Sequence, residues 1–129
     1  MAYNITTTAG AAITTVADGT VNSSATSLTL VGKNYAGYGV FLNENYVKLL
    51  EHFANSTAPT APLTGQLWYD SANTVLKVYN GTAWKPLSTS NSTGSTPATA
   101  ITGDLWWDTT NSQLKAYSGT EWIVVGPAF

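Results

Sequence analysis

Between residues 64 and 84, apolar and polar positions alternate in short bursts broken by Asn, Ser and Gly. The same succession returns at 102–122. Gly65/Gly103, Leu67/Leu105, Trp68/Trp106, Asp70/Asp108, Asn73/Asn111, Leu76/Leu114, Lys77/Lys115, Tyr79/Tyr117, Gly81/Gly119 and Trp84/Trp122 all stand 38 residues apart, and twelve of the twenty-one positions are identical without a gap. A fixed period of this kind marks one supersecondary unit used twice. Period-two alternation predicts three short strands per copy, at 65–70, 75–79 and 82–87 and again at 103–108, 113–117 and 120–125. Asn80-Gly81 and Ser118-Gly119 place a glycine at one equivalent turn position, and Asp70 and Asp108, just before the other turn, are expected to cap backbone N–H groups.

Upstream, the pattern changes twice. Residues 13–22 alternate around Asp18-Gly19, a strong hairpin signal, and 27–31 reads as a further strand with Leu28 and Leu30 on one face. A small antiparallel sheet is therefore expected at the N-terminus. Three glycines interleaved with Tyr35 and Tyr38 then suggest a tight loop that lays aromatic rings on a neighbour. From about 40 to 54 the period becomes helical: Tyr46, Leu49, Leu50 and Phe53 form one stripe, widened by Phe41, Leu42 and Val47. Pro59 and Pro62 among small polar residues stop the helix. The expected fold is mainly β (α+β), a small N-terminal sheet with one amphipathic helix followed by two three-stranded β-meander repeats. Its parts are an attachment module at 1–58, repeat one at 59–87, a polar linker at 88–100 and repeat two at 101–129.

Both faces of each predicted meander carry large apolar groups. On the first strand Leu67 and Tyr69 share one side and Trp68 and Asp70 the other. A sheet of about twenty residues does not bury both faces by itself. The second face needs a cover: the other repeat, the N-terminal module, another copy of the chain, or a ligand. Trp68, Tyr79, Trp84, Trp106, Trp107, Tyr117 and Trp122 are accordingly candidates for assembly contacts or for stacking on sugars. Lys77 is expected across Trp68 and Lys115 across Trp106.

Composition narrows the chemistry. Only 9% of residues are charged, arginine is absent, and the net charge is −2 with no basic cluster, which argues against nucleic-acid binding. Without cysteine there are no disulfides or thiolate metal sites, and one histidine makes an ordinary zinc site improbable. No cofactor is expected. His52 has no nucleophile motif around it, and Asp70 and Asp108 read as turn residues, so no enzymatic activity is expected. Gly37-Tyr38-Gly39 lacks the Lys-Ser/Thr of a phosphate loop. The first residues do not have the form of a signal peptide, and no apolar run approaches the roughly 20 residues of a membrane helix, so a soluble protein without membrane insertion is expected.

The segments 17–22, Ala-Asp-Gly-Thr-Val-Asn, 30–39, Leu-Val-Gly-Lys-Asn-Tyr-Ala-Gly-Tyr-Gly, and 42–51, Leu-Asn-Glu-Asn-Tyr-Val-Lys-Leu-Leu-Glu, resemble the N-terminal region of virion structural proteins of marine, cyanophage-type tailed phages, tail-fibre proteins in particular. The repeated Gly-Gln-Leu-Trp-Tyr-Asp element at 65–70, with Leu76 to Trp84, is similar to the element that follows in those proteins. The resemblance covers nearly the whole chain, and none of its motifs is catalytic. It implies a tail-fibre or baseplate-associated connector in the virion, made in the host cytoplasm, assembled as a homotrimer and docked on other tail or baseplate proteins. Tyr35, Tyr38, Tyr46 and Phe53 are the candidate docking residues, and the chain is expected to be the start of a longer fibre. The alternative is a carbohydrate-binding module that recognises host-surface glycans through the repeated Trp and Tyr.

Overall fold

The computed structural model describes residues 1–87, 90–98 and 100–126; parts of the predicted linker (88, 89 and 99) and the end of the second repeat (127–129) lie outside the described residues. The fold is mainly β with one helix and several small sheets. It forms two compact units, Met1–Trp84 and Lys85–Phe129.

In the first unit, β1 (Tyr3–Thr6) pairs antiparallel with β2 (Ala12–Val16), and the Thr7 hydroxyl holds the connection by accepting the Ala11 N–H at 3.0 Å. The Asp18-Gly19 turn does not close the expected hairpin. After it the chain runs forward: β3 (Val21–Asn22) pairs with β4 (Leu30–Val31). Gly19 has the positive φ that a tight turn requires, 69°, yet its N–H goes to the Lys33 carbonyl at 2.7 Å, and the Gly32 N–H goes to Thr20 at 2.8 Å. Gly32 is buried, and a Cβ there would lie 2.2 Å from the Ala17 carbonyl oxygen, so only glycine lets the two segments approach. The strand expected at 27–31 shortens to its last residues. Asn22 accepts the N–H groups of Ser24 and Ala25, and Thr26 accepts that of Leu28, so side chains bend the backbone that a ladder would otherwise use.

Helix α1 (Tyr38–Leu50) starts from Gly37 in the left-handed region (φ 80°). It stops four residues earlier than expected, because His52 and Phe53 turn left-handed (φ 50° and 55°) and the Phe53 N–H returns to the Lys48 carbonyl at 2.8 Å. Its orientation reverses the expectation from the apolar stripe. The residue it buries is Asn45, whose amide accepts the Thr29 N–H at 3.0 Å and donates to the Thr29 carbonyl at 2.8 Å. That pair of bonds satisfies backbone groups beside β4 that would otherwise be left orphaned. Phe41, Leu42 and Lys48 flank Asn45, half-buried, while Tyr46, Leu49 and Leu50 are exposed.

The first repeat forms a three-stranded sheet, β5 (Leu67–Asp70), β6 (Val75–Tyr79) and β7 (Trp84–Pro86), in that spatial order. The second forms a four-stranded sheet: β8 (Ser90–Thr93) runs parallel to β9 (Leu105–Asp108), followed by β10 (Gln113–Tyr117) and β11 (Trp122–Val124). The predicted linker thus contributes a strand, since Thr93 pairs with Asp108 and its carbonyl takes the Thr109 N–H at 3.1 Å. Asn55, 38 residues before Thr93, makes the corresponding parallel bridge to Asp70, and its carbonyl takes the Ser71 N–H at 3.1 Å. In space the lead-in to each repeat therefore pairs with its first strand, through Asn55 in the first copy and through β8 in the second.

Candidate functional site

Each repeat builds one cage on the inner face of its sheet. Trp68 lies in register with Lys77, and Trp106 with Lys115. Both tryptophans are buried, 6% and 4% exposed. Each indole N–H donates to the lead-in carbonyl, Trp68 to Asn55 at 3.2 Å and Trp106 to Thr93 at 3.0 Å. Trp84 meets Trp68 edge-on at 5.4 Å between centroids, with Tyr79 tilted against Trp84 at 5.2 Å. Trp122 and Tyr117 repeat these contacts around Trp106 at 5.4 and 5.2 Å. The lysine ammonium stands over the buried indole, 5.0 Å away in the first copy and 4.6 Å in the second.

The same lysine closes the electrostatic part of the cage. Asp70 accepts the N–H groups of Ala72 and Asn73, the Asn73 amide at 2.8 Å and the Lys77 ammonium at 2.9 Å. Asp108 does so with Thr110, Asn111 and Lys115, the last two at 2.8 and 2.9 Å. The Asn73 and Lys77 side chains hold the Asp70 carboxyl down at about 2 against the cost of desolvating it, and Asn111 and Lys115 do the same for Asp108. A carboxylate held that low, with its lone pairs occupied, has no proton to give near neutrality and is a poor base. It is a turn clamp. Gln66 and Asp104, also 38 apart, accept the N–H groups of Leu63 and Ile101 and fix each entry into the sheet.

The aromatic candidates therefore separate. Trp68 and Trp106 are buried, which corrects their reading as stacking platforms or assembly contacts. Trp84, Trp122, Tyr79 and Tyr117 are half-buried and packed within the cages. Only Trp107 points outward, 44% exposed, on the face of the second sheet that also carries Leu105, Leu114 and Ile123, all exposed. Its counterpart Tyr69 is 37% exposed, and sequence reasoning passed it over although strict alternation with Trp68 puts it there. Among the docking candidates, Tyr38 and Tyr46 are each 58% exposed, Tyr35 is half-buried edge-on to Phe41 at 5.8 Å, and Phe53 is half-buried. Phe53 lines an apolar groove of about 410 Å³ with Ile5, Ile13, Leu30, Leu49 and Leu63.

Among the described residues, no group of three or more His, Cys, Asp or Glu is placed to hold a metal ion, and no helix is long and apolar enough to cross a membrane. His52 enters the first repeat through its backbone, its carbonyl accepting the Tyr69 N–H at 2.8 Å. Compared with protein-family models, curated proteins and solved structures, the chain finds no match.

Proposed function

We propose that this chain is a structural protein of a phage virion, an oligomeric connector of the tail fibre or baseplate, which acts by assembly and not by catalysis. The observation that carries the reading is how the side chains are divided. Four charged groups of the repeats, Asp70, Lys77, Asp108 and Lys115, are consumed inside the cages. Large apolar groups stand in water instead: Val40, Tyr46, Val47 and Leu50 on α1, and Leu105, Trp107, Leu114 and Ile123 on the second sheet. Contiguous exposed apolar surface of this kind marks a contact surface for protein. The resemblance to phage tail-fibre proteins supplies the setting, and it implies three copies docked on other tail proteins.

The carbohydrate-binding alternative loses its main support with the burial of Trp68 and Trp106. Trp107 remains, but its neighbours on that face are Leu105 and Leu114, without the Asn and Asp that orient a sugar. The test is the native mass of the full chain by sedimentation at micromolar concentration. An oligomer is expected, and a stable monomer overturns the reading. Saturable quenching of tryptophan fluorescence by a host-surface polysaccharide, lost on Trp107→Ala, would restore the glycan reading.

A further inference from the structure

The outward face of α1 carries a pattern that its inward face lacks. Val40, Asn43, Val47 and Leu50 follow one another at steps of three, four and three, the a–d–a–d spacing of a helix that packs along another helix. In that register Glu44 and Glu51 take position e and Tyr46 takes g. Phe41, Leu42, Asn45 and Lys48, which face the rest of the unit, take b, c and f. The seam stands free: Val40 is 62% exposed, Val47 50% and Leu50 80%, with Asn43 exposed between them.

We infer that α1 is a homotypic seam: a second copy of this chain lays its own α1 alongside in parallel register, with Asn43 beside Asn43. Two features select a second copy in that direction. The Asn43 amide has both donors and acceptors, so its own duplicate satisfies it, whereas an apolar partner helix would bury it unpaired. The e positions hold only carboxylates; antiparallel packing would set e against e, carboxylate against carboxylate, whereas parallel packing sets Glu51 against Tyr46 of the neighbour. Four layers are short for a free coiled coil, but α1 is already held as a helix by Asn45 and Phe41, so association need not nucleate it. The exposed apolar area is roughly half of the ~800 Å² that each partner of a standard interface buries, so association through this seam is concentration-dependent.

The seam presupposes the oligomeric reading given above, and cysteine substitution separates the two. The chain has no cysteine, so each introduced thiol is the only one present. Val40→Cys and Leu50→Cys are made in the full chain, with Gln113→Cys, exposed on β10, as the reference for random collision. Under mild oxidation, Val40→Cys and Leu50→Cys should each form disulfide-linked homodimers at least about tenfold faster than Gln113→Cys. Val47→Glu, with its near-ultraviolet circular dichroism unchanged, should remove the concentration dependence of the native mass. Cross-linking no faster than the reference, or faster only when Val40→Cys is mixed with Leu50→Cys, overturns the parallel seam. An oligomeric mass that Val47→Glu leaves intact overturns the seam and spares the connector reading; a monomeric parent chain overturns both.

Discussion

Trp68 and Trp106 sit in cages that match contact for contact, whereas the edge strands beside those cages diverge after the shared Trp84 and Trp122. β7 carries Lys85 and Pro86; β11, at the same two positions, carries Ile123 and Val124. Lysine and proline are residues that keep a sheet edge from pairing with another chain, and Ile and Val do the opposite. The Val125 N–H points inward to the Leu114 carbonyl at 2.8 Å, so alternation turns the Val124 N–H outward, where Pro86 in the first copy has none to offer. The two copies share what folds them and differ in what they present. Their lead-ins differ as well. Repeat one is entered from a helix end through the left-handed His52 and Phe53 and keeps only the single bridge at Asn55, while repeat two has the four-residue strand β8.

The equivalence of the cages is tested most severely by emptying them. Trp68→Ala and Trp106→Ala should each cost about 3–5 kcal/mol, the range for deleting a buried aromatic ring. Each also leaves a lysine and an aspartate without their apolar cover. Urea unfolding followed by near-ultraviolet circular dichroism reads both losses. Costs that differ by more than about 2 kcal/mol would mean that the matched contacts hide unequal packing.

Next come the hairpin glycines. Gly81 and Gly119 have φ of 103° and 104°, a region that L-residues enter at a cost of about 1–3 kcal/mol. A Cβ would stand 3.1 Å from the Thr64 hydroxyl oxygen in the first copy and 2.7 Å from that of Thr102 in the second. Gly119→Ala should therefore destabilise more than Gly81→Ala, in the same unfolding measurement. The reverse order would place the strain elsewhere in the turn.

Acid probes the clamps. Asp70 and Asp108 titrate near 2 in the folded chain against 3.8 for the unfolded carboxyl. With the folded value the lower one, the unfolded chain takes up protons first as pH falls. The stabilisation is fully present above the unfolded value and drains away between about pH 4 and pH 2. Asp70→Asn and Asp108→Asn should each flatten that acid limb of the urea midpoint, by similar amounts, and leave the slope between pH 6 and pH 8 unchanged. An acid limb as steep in the variants as in the parent chain would sink the assignment.

The cages were legible in the sequence because their parts are identities at a fixed spacing: the Asp clamps, the lysines over indoles and the glycine turns all follow from type and position. The lead-in strand was not, because its working atom is a backbone carbonyl, which Asn55 and Thr93 supply equally well despite having different side chains. The inward face of α1 was hidden for a related reason. Ranking by hydrophobicity puts Tyr46, Leu49 and Leu50 inside, but one amide, Asn45, satisfies two backbone groups at once and fixes the helix the other way round. Asp18-Gly19 misled because a glycine turn specifies a reversal locally and not which strand comes next.

The mildest substitution bears on the difference between the copies. Ile123→Lys gives β11 the residue that β7 carries at the same position. Ile123 is 51% exposed and shares its face with Trp107 and Leu114, which are exposed too. No buried contact is lost, so unfolding free energy should shift by no more than about 0.5 kcal/mol, as for surface changes in general. The lysine stem can still lie along Leu114 and Ala116 while its ammonium reaches water. What should change is behaviour at high concentration: a charge set in the middle of an apolar face raises the solubility of the chain and weakens any pairing along that sheet. A loss above about 1 kcal/mol in dilute solution would mean that the face is already covered within a single chain, and the contrast between the edges of the two repeats would then be one of packing and not of presentation.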